Sequence, residues 1–260
     1  MLLLLDIGNT HTHLGLATER AVKRQRNIET RRWQDGSAAG EIEKFAGKAN
    51  LEGACFCSVV PQASPHCASF LQKRTLPFVE LNSSSVRALG AVGIEYPKPE
   101  TIGPDRLANA IAVKAFDGCP ALVVDFGTAV TFDVVDRDCN YIGGIIAPGL
   151  SAMTDYLHEK TALLPRITIR EPRGVVGKNT EQAMLIGAVH GYRGLIRGLI
   201  HELKGELKVR RLPVVATGGY AALIASRMPE ITAVRPNLTL EGLRLLWLAH
   251  RKQRKPGDQE

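Results

Sequence analysis

The chain has 260 residues, with 33 Lys and Arg against 26 Asp and Glu, which gives a formal charge of +7 and a pI near 9.3. Hydrophobic residues make up 45% and charged residues 23%, a balance that is typical of globular proteins and excludes disordered and fibrous classes. The charge excess is modest and aromatic residues are only 5%, so the composition gives little support for nucleic-acid binding.

The chain opens on an apolar run, Met1 to Leu5, that meets a charged residue at Asp6. This run has no basic region in front of it and is too short for a signal peptide or a membrane span. The five cysteines are odd in number and sit in apolar runs, so a disulfide framework is not expected. A cytoplasmic protein in a reducing compartment is therefore predicted.

Short β-rich runs alternate with amphipathic helical windows, which predicts an α/β fold. In chain order, the predicted strands are residues 2–6, 12–17, 27–33, 54–60, 78–81, 121–125, 129–135, 141–147, 213–217 and 231–234. The predicted helices are residues 37–49, 64–75, 105–116, 181–204, 220–226 and 240–252. In the second of these helices, Ser64 is predicted as the N-cap and Pro65 as part of the first turn.

One pattern occurs twice in the chain. An apolar strand leads into Asp6-Ile7-Gly8-Asn9-Thr10, another leads into Asp125-Phe126-Gly127-Thr128, and a second strand follows each turn. The repetition indicates two duplicated halves that face each other. A strong turn signal at Asp117-Gly118-Cys119-Pro120 puts the boundary there, which predicts domains of residues 1–117 and 118–260.

The two Asp-x-Gly turns have the chemistry of a polyphosphate site. An aspartate at the end of a buried strand sits at the sheet edge where ligands of α/β proteins bind, and the glycine lets the backbone approach a ligand. Backbone N–H groups with Asn9, Thr10 and Thr128 can donate to phosphate oxygens. A single Asp-x-Gly is also a common hairpin turn, but its duplication favours the phosphate site. The later Thr217-Gly218-Gly219 could accommodate an adenine or ribose, although glycine also favours helix entry there.

These motifs resemble the actin and sugar-kinase superfamily and, more closely, the type III pantothenate kinases, which are related to the Bvg accessory factor group. Besides the two turns and the glycine element, the motifs that carry the resemblance are Tyr96-Pro97, Gly103-Pro104-Asp105-Arg106, Gly143-Gly144-Ile145-Ile146-Ala147-Pro148-Gly149 and Gly177-Lys178-Asn179-Thr180. The resemblance spans nearly the whole chain. It implies two duplicated actin-like (ribonuclease H-like) domains with the active site in the cleft between them.

Asp105 is the candidate catalytic residue. It falls in the first turn of a predicted helix, where the helix dipole favours a negative charge, and it could accept the proton of an attacking hydroxyl. The resemblance implies that Asp105 is the general base on the terminal hydroxyl of pantothenate. It also implies a substrate site formed by Tyr96, Gly103, Pro104, Asp105, Arg106 and Thr180, in which the Arg106 fork could bind a carboxylate or the phosphoryl group.

The resemblance further implies an ATP site at the two turns. The candidate ATP-binding residues are Asp6, Ile7, Gly8, Asn9, Thr10, His11, Thr12, His13 and Thr128. Asp6 is expected near Mg²⁺, and Asp125 is expected to bind a monovalent cation, K⁺ or NH₄⁺. Some family members carry a lysine where this chain has His13, so the charge that meets the phosphates can differ here.

The predicted helix 181–204 contains four glycines on one face, Gly187, Gly191, Gly194 and Gly198. Because each interior glycine costs about 1 kcal/mol relative to alanine, another element is expected to approach this face closely. Either a helix of the same chain or a second subunit could be the element that packs against the glycine face. The resemblance favours a homodimer in which the partner helps to close the pantothenate pocket.

Several other functions are possible for these residues. A zinc site at Cys55, Cys57, His66 and Cys67 is not favoured, because structural zinc sites prefer two to four residues between ligands and only one separates Cys55 from Cys57. The apolar run around these two cysteines predicts a buried strand instead. His11 and His13 could bind a metal, but a position near phosphate is favoured. A non-catalytic regulatory member that binds a partner or DNA, and a kinase for another small hydroxyl substrate, remain as alternatives. Neither nucleic acid nor membrane is expected as a partner.

Overall fold

The computed structural model describes residues 1–254, so residues 255–260 of the predicted second domain lie outside the described part. Two compact units are present. Met1–Cys119 and Arg137–Gly143 form the first, together with residues 237–254. Pro120–Asp136 and Gly144–Pro236 form the second. The chain therefore returns to the first unit at its end, which a linear division at residues 117 and 118 does not describe.

The first unit is built on a five-stranded sheet with the order β3-β2-β1-β4-β5. Its strands are β1 (Leu2–Ile7), β2 (His11–Ala17), β3 (Val22–Glu29), β4 (Gly53–Ser58) and β5 (Phe78–Glu80). β1 is antiparallel to β2 and parallel to β4. The four leucines of β1 are buried, as expected of a central strand.

Helices cover this sheet. They are α1 (Ala38–Ala46), α2 (Ala63–Lys73), α3 (Ser83–Leu89), α4 (Pro104–Phe116) and the last helix of the chain, α8 (Leu238–Gln253). Two 3₁₀ turns, Thr30–Trp33 and Pro99–Thr101, and a short strand, β6 (Gly93–Ile94), complete the unit. α8 packs against α4, where Thr239 Oγ1 donates to Asn109 Oδ1 at 2.9 Å.

The second unit contains β7 (Ala121–Phe126), β8 (Ala129–Val135), β10 (Val214–Gly218) and β11 (Ala233–Val234), with α5 (Leu150–Lys160), α6 (Thr180–Glu206) and α7 (Ala221–Ala225). Strand β9 (Asn140–Pro148) begins in the first unit, where it pairs with β6, and ends in the second. The sheet order is β11-β10-β7-β8-β9-β6. β7 is antiparallel to β8 and parallel to β10, which repeats the arrangement of β2, β1 and β4.

Several elements differ from the sequence prediction. The strand predicted at residues 27–33 is wrong at both ends, because β3 runs from Val22 to Glu29. Thr30–Trp33 instead forms a 3₁₀ helix, and Trp33 Nε1 donates to the buried Thr12 Oγ1 at 3.1 Å. Ser64 is not an N-cap, since α2 already begins at Ala63. The helices α3 and α5 and the short strand β6 were not expected from the sequence pattern.

The cysteine pattern gave no reason to expect a disulfide, yet Cys119 and Cys139 form one, with their Cα atoms 5.5 Å apart. Both residues belong to the first unit and lie in the turns that precede β7 and β9. Folding, rather than sequence spacing, brings these turns together. The other three cysteines are free and buried: Cys55, Cys57 and Cys67.

No helix within residues 1–254 is both long enough and apolar enough to cross a membrane.

Candidate active site

The first Asp-x-Gly turn joins β1 to β2 as a tight hairpin. Gly8 N donates to His11 O at 3.0 Å. Thr30, which directly follows β3, donates its Oγ1 hydrogen to Gly8 O at 2.7 Å. At Gly8 an added Cβ would lie 3.0 Å from His11 O, so a larger residue would crowd the turn. The turn is thus held by its own backbone and by Thr30.

The predicted ATP-binding residues of this turn divide by exposure. Asn9, Thr10 and His11 are exposed, and His13 is partly exposed with Nδ1 2.8 Å from Asn27 Oδ1. Ile7 and Thr12 are buried, and Thr12 Oγ1 is within 3.1 Å of Thr30 Oγ1. A nucleotide could therefore meet Ile7 and Thr12 only through their backbone.

Asp6, at the end of β1, lies beside Cys57 of β4. The two residues are partners in the parallel ladder, and Cys57 Sγ donates to Asp6 Oδ1 at 3.3 Å. Burial raises the pKa of the Cys57 thiol well above its ordinary value, and the Asp6 and Asp105 carboxylates raise it further. The electrostatic effect of both carboxylates on one thiol shows that Asp6 and Asp105 lie in the same region of the first unit.

Asp105 lies in the first turn of α4, directly after the N-cap residue Gly103 and Pro104. Its Oδ1 accepts from Arg106 N at 2.9 Å. A Cβ on Gly103 would lie 2.6 Å from the same oxygen, so only glycine leaves room for this carboxylate. Burial raises the pKa of Asp105, and the backbone N–H and charge of Arg106 oppose that shift. A carboxylate with a raised pKa is suited to accept a proton.

Two tyrosines line the region next to Arg106. The Arg106 guanidinium carbon lies 5.6 Å from the centre of the Tyr141 ring, and the Tyr141 and Tyr96 ring centres are 6.1 Å apart. At Gly143, φ is +128° and an added Cβ would lie 3.4 Å from Tyr96 Cε2. Tyr141 is fully buried, so its ring supports Arg106 from within the unit and helps to orient the guanidinium group.

The second Asp-x-Gly turn lies in the second unit, against the glycine element. Strands β10 and β7 are paired in parallel, and Gly218 is the partner of Phe126. Gly218 has a φ of +86°, and an added Cβ would lie 2.6 Å from Asp125 Oδ1. On the other side, a Cβ on Gly149 would lie 2.2 Å from Thr128 O. Glycines thus let two neighbouring segments pack tightly on this turn, while the Thr128 side chain is exposed.

Thr180 begins α6 and is exposed. Asn179 caps this helix by accepting from Gln182 N at 2.9 Å, and Lys178 N donates to Gln182 Oε1 at 3.0 Å. Thr180 therefore sits at a well-formed helix start.

The first unit brings together Asp6, Asp105, Arg106, Tyr96 and Gly103, and the second unit brings together Asp125, Thr128 and Gly218. Sequence analysis did not single out Tyr141 or assign Cys57 to this site. The signal for Cys57 was the position of its strand beside β1, but pairing partners in a parallel sheet cannot be read from local sequence.

The site residues fit a magnesium ion bound with a nucleotide. Within residues 1–254 no group of three His, Cys, Asp or Glu could hold a metal by itself. Mg²⁺ with nucleotides is held by one or two carboxylates, water and substrate phosphates, so the single Asp6 carboxylate at the turn matches that mode.

A family model described as type III pantothenate kinase matches residues 2–202. A type III pantothenate kinase of Akkermansia muciniphila is 46% identical over 243 residues, covering 94% of this chain and 96% of that protein. One from Methylacidiphilum infernorum is 44% identical, covering 94% of this chain and 87% of that protein.

Among solved structures, the activator of the 2-hydroxyisocaproyl-CoA dehydratase from Clostridium difficile has a TM-score of 0.52 at 10% identity and covers 100% of this chain and 99% of its own. This likeness concerns the fold, which is of the actin-like α/β class predicted from the sequence. Because the family model matches most of the chain and the relatives align along nearly its whole length, the chain belongs to the type III pantothenate kinase family.

Proposed function

We propose that this kinase transfers the γ-phosphoryl group of ATP to the terminal hydroxyl of pantothenate, with Asp105 as the general base. The product is 4'-phosphopantothenate, and the reaction is the first step of coenzyme A biosynthesis. The observation that supports the role of Asp105 most directly is its partly buried carboxylate, held at the start of α4 in the region of Asp6.

In the proposed reaction, Asp105 takes the proton of the substrate hydroxyl while the oxygen attacks the γ-phosphorus. The bond between the γ-phosphorus and the bridging oxygen breaks, and ADP leaves with that electron pair. Phosphoryl transfer depends mainly on positioning and on charge neutralisation. Arg106 offers a fork of N–H donors for the pantothenate carboxylate or the transferring group, and its ring contact with Tyr141 holds it in place.

We assign the ATP phosphates to the two turns. In the first turn the exposed side chains of Asn9, Thr10 and His11, with the backbone near Gly8, are the contacts; in the second turn the contact is Thr128. Asp6 would hold Mg²⁺, which neutralises phosphate charge when bound. Asp125, beside Gly218, would hold K⁺ or NH₄⁺. Tyr96, Gly103, Pro104 and Thr180 would line the pantothenate pocket.

A coupled assay of ADP release tests this function. With ATP, pantothenate, Mg²⁺ and K⁺ present, turnover should depend on pantothenate and should fall at least about 100-fold in Asp105→Asn, because loss of a general base costs about that much or more. Asp117→Asn, at the other end of α4, is the matched control and should keep its rate. Absence of pantothenate-dependent turnover in the unmodified enzyme would defeat the proposal.

We also propose that the enzyme is a homodimer joined through the glycine face of α6. Gly187, Gly191, Gly194 and Gly198 are all exposed, and a Cβ added at any of them would meet nothing within 4 Å. No element of the same unit covers them, so the cost of four helical glycines is not explained within that unit. A second α6 approaching closely would explain it.

The oligomeric state of Gly191→Leu tests the dimer. The added side chain should block the close approach and yield monomers in sedimentation or light scattering. Gly40→Leu is the matched control, since Gly40 is an exposed glycine of α1 with nothing within 4 Å of an added Cβ. A Gly191→Leu protein with the same mass as the unmodified enzyme would exclude this interface.

A further inference from the structure

We propose that Cys57 is a positioning residue of the phosphate site, which holds the Asp6 carboxylate in its working orientation through an S–H···O hydrogen bond. The proposal rests on the nucleotide-binding role assigned to Asp6 above. It gives a function to a cysteine that neither the kinase mechanism nor the sequence motifs use.

The sheet sets this contact. Asp6 and Cys57 are paired residues of the parallel strands β1 and β4, so their side chains project to the same side of the sheet. Cys57 Sγ lies 3.3 Å from Asp6 Oδ1, and Cys57 has no solvent exposure. Strand pairing fixes the backbone positions of both residues. The distance between Sγ and Oδ1 therefore depends on the sheet and not on a loop.

The direction of the bond follows from chemistry. An ionised carboxylate only accepts, so the thiol must donate. Cys57 Sγ lies 3.3 Å from the carboxylate and is fully buried, and such surroundings favour the neutral S–H group over a thiolate. The thiol therefore offers a neutral donor that restrains the carboxylate without cancelling its charge. A lysine or arginine at this place would neutralise the charge that attracts a cation.

A comparison with Cys55 distinguishes the proposed role of Cys57 from ordinary core packing. It lies two residues earlier in β4, on the same side of the strand, and is also fully buried. Its ladder partner is Leu4 rather than an aspartate. Burial alone accounts for the raised pKa of its thiol, with no contribution from a carboxylate. Truncating either cysteine leaves a cavity, but only truncation at Cys57 removes a donor to Asp6.

The experiment compares Cys57→Ser, Cys57→Ala, Cys57→Val and Cys55→Ala in the full-length enzyme. Calorimetric binding of ADP is measured with and without Mg²⁺, together with kcat and the KM values for ATP and pantothenate. Cys57→Ala and Cys57→Val should weaken Mg·ADP binding and raise the KM for ATP about tenfold, as expected for loss of a bond to a charged group. The KM for pantothenate should stay unchanged.

Cys57→Ser keeps a donor and should stay within about twofold of the unmodified enzyme, in line with the smaller effect expected of a conserved hydrogen bond. Cys55→Ala should lose thermal stability but not nucleotide affinity. If Cys57→Ala does not fold, the Ser and Val variants decide, since serine keeps a hydrogen-bond donor and valine fills the space without one. The proposal is overturned if Cys57→Val binds Mg·ADP like the unmodified enzyme, or if Cys57→Ser is as weak as Cys57→Val.

The same data separate this inference from the proposed function. An unmodified enzyme that turns over pantothenate while Cys57→Val keeps its affinity for Mg·ADP refutes only the role of Cys57. An unmodified enzyme that neither binds Mg·ADP nor turns over refutes the proposed function, and the role of Cys57 falls with it.

Discussion

Asp105 illustrates how local structure sets the chemistry of one residue. The start of α4 provides backbone N–H groups that favour its charged form, while burial favours the neutral form, and burial prevails. The folded state therefore binds a proton at Asp105 more readily than the unfolded chain does. Its contribution to stability is largest at low pH and is lost as the pH rises through the raised folded pKa.

If Asp105 is the base proposed above, this shift sets the pH dependence of catalysis. Because a base must be unprotonated, kcat/KM should fall on the acid side, with a midpoint above the ordinary aspartate value of about 4. Asp105→Asn should lose this acid limb along with its activity, and it should unfold at a higher temperature at neutral pH because no charge is buried. A pH–rate profile and thermal unfolding check both statements. An acid limb at the ordinary value would remove Asp105 from the role of a perturbed base.

Gly218 is a second position where one residue determines the site. Its positive φ and the 2.6 Å distance from an added Cβ to Asp125 Oδ1 both oppose a side chain. Gly218→Ala should lose about 1–2 kcal/mol of stability from the backbone alone and should weaken ATP binding by displacing Asp125. Gly205→Ala, in the last turn of α6, is the control, because a Cβ there meets nothing within 4 Å and Gly205 is outside the proposed nucleotide site. Equal ATP affinity in the two variants would contradict this account.

At the scale of elements, the strands that carry the two turns were predictable and several connecting segments were not. The prediction of residues 129–135 agrees with β8 in full, because alternation and β-branched residues mark a strand. Thr30–Trp33 depends on the bond of Trp33 to Thr12, which only tertiary structure creates. α5 buries only Leu150 and Thr154 and leaves Tyr156 exposed, so its sequence lacks the apolar face that identifies a helix.

Among the candidate site residues, too, some are marked by local sequence and others are not. Sequence motifs pointed to Asp6, Asp105 and Asp125, because each lies at the end or the start of a regular element. Tyr141 and Cys57 carry no local signal, since their place depends on which strands become neighbours. Local sequence can therefore propose candidates at the ends of regular elements, but it cannot propose residues whose position depends on a partner strand.

The Cys119–Cys139 disulfide links the turn before β7 to the turn before β9. The two cysteines are separated by 20 positions in the sequence. For a loop of this size, the chain-entropy estimate of the stabilisation is about 3 kcal/mol. Cys119→Ser with Cys139→Ser should lose about this much in denaturant unfolding. Added reductant should lower the stability of the unmodified protein to the same level and leave the double variant unaffected. Equal stability of the oxidised protein and the double variant would show that the bond contributes nothing.

At the scale of the whole molecule, the decisive feature is that a late segment of the chain belongs to the first unit. After the second unit, α8 returns to the first unit and packs on α4, the helix that presents Asp105. Trp247 of α8 covers Gly53 so closely that an added Cβ would lie 2.0 Å from its ring. The first unit is therefore completed by a segment that follows residues 144–236 of the second unit in sequence, and α4 depends on that late contact.

Gly242 tests this dependence, because there the backbones of α8 and α4 come together. An added Cβ would lie 2.0 Å from Ala108 O, and a backbone atom cannot swing aside. Gly242→Ala should cost about 1–3 kcal/mol of stability, as overpacked sites do, and activity should be lost at lower denaturant concentration. The control is Gly40→Ala in α1, where open space should allow a gain of about 0.5–1 kcal/mol from the removal of a helical glycine. Denaturant unfolding of both variants gives the comparison. If Gly242→Ala gained stability as Gly40→Ala is expected to, α8 and α4 would not be in close contact, and α4 would have to be held by the sheet alone.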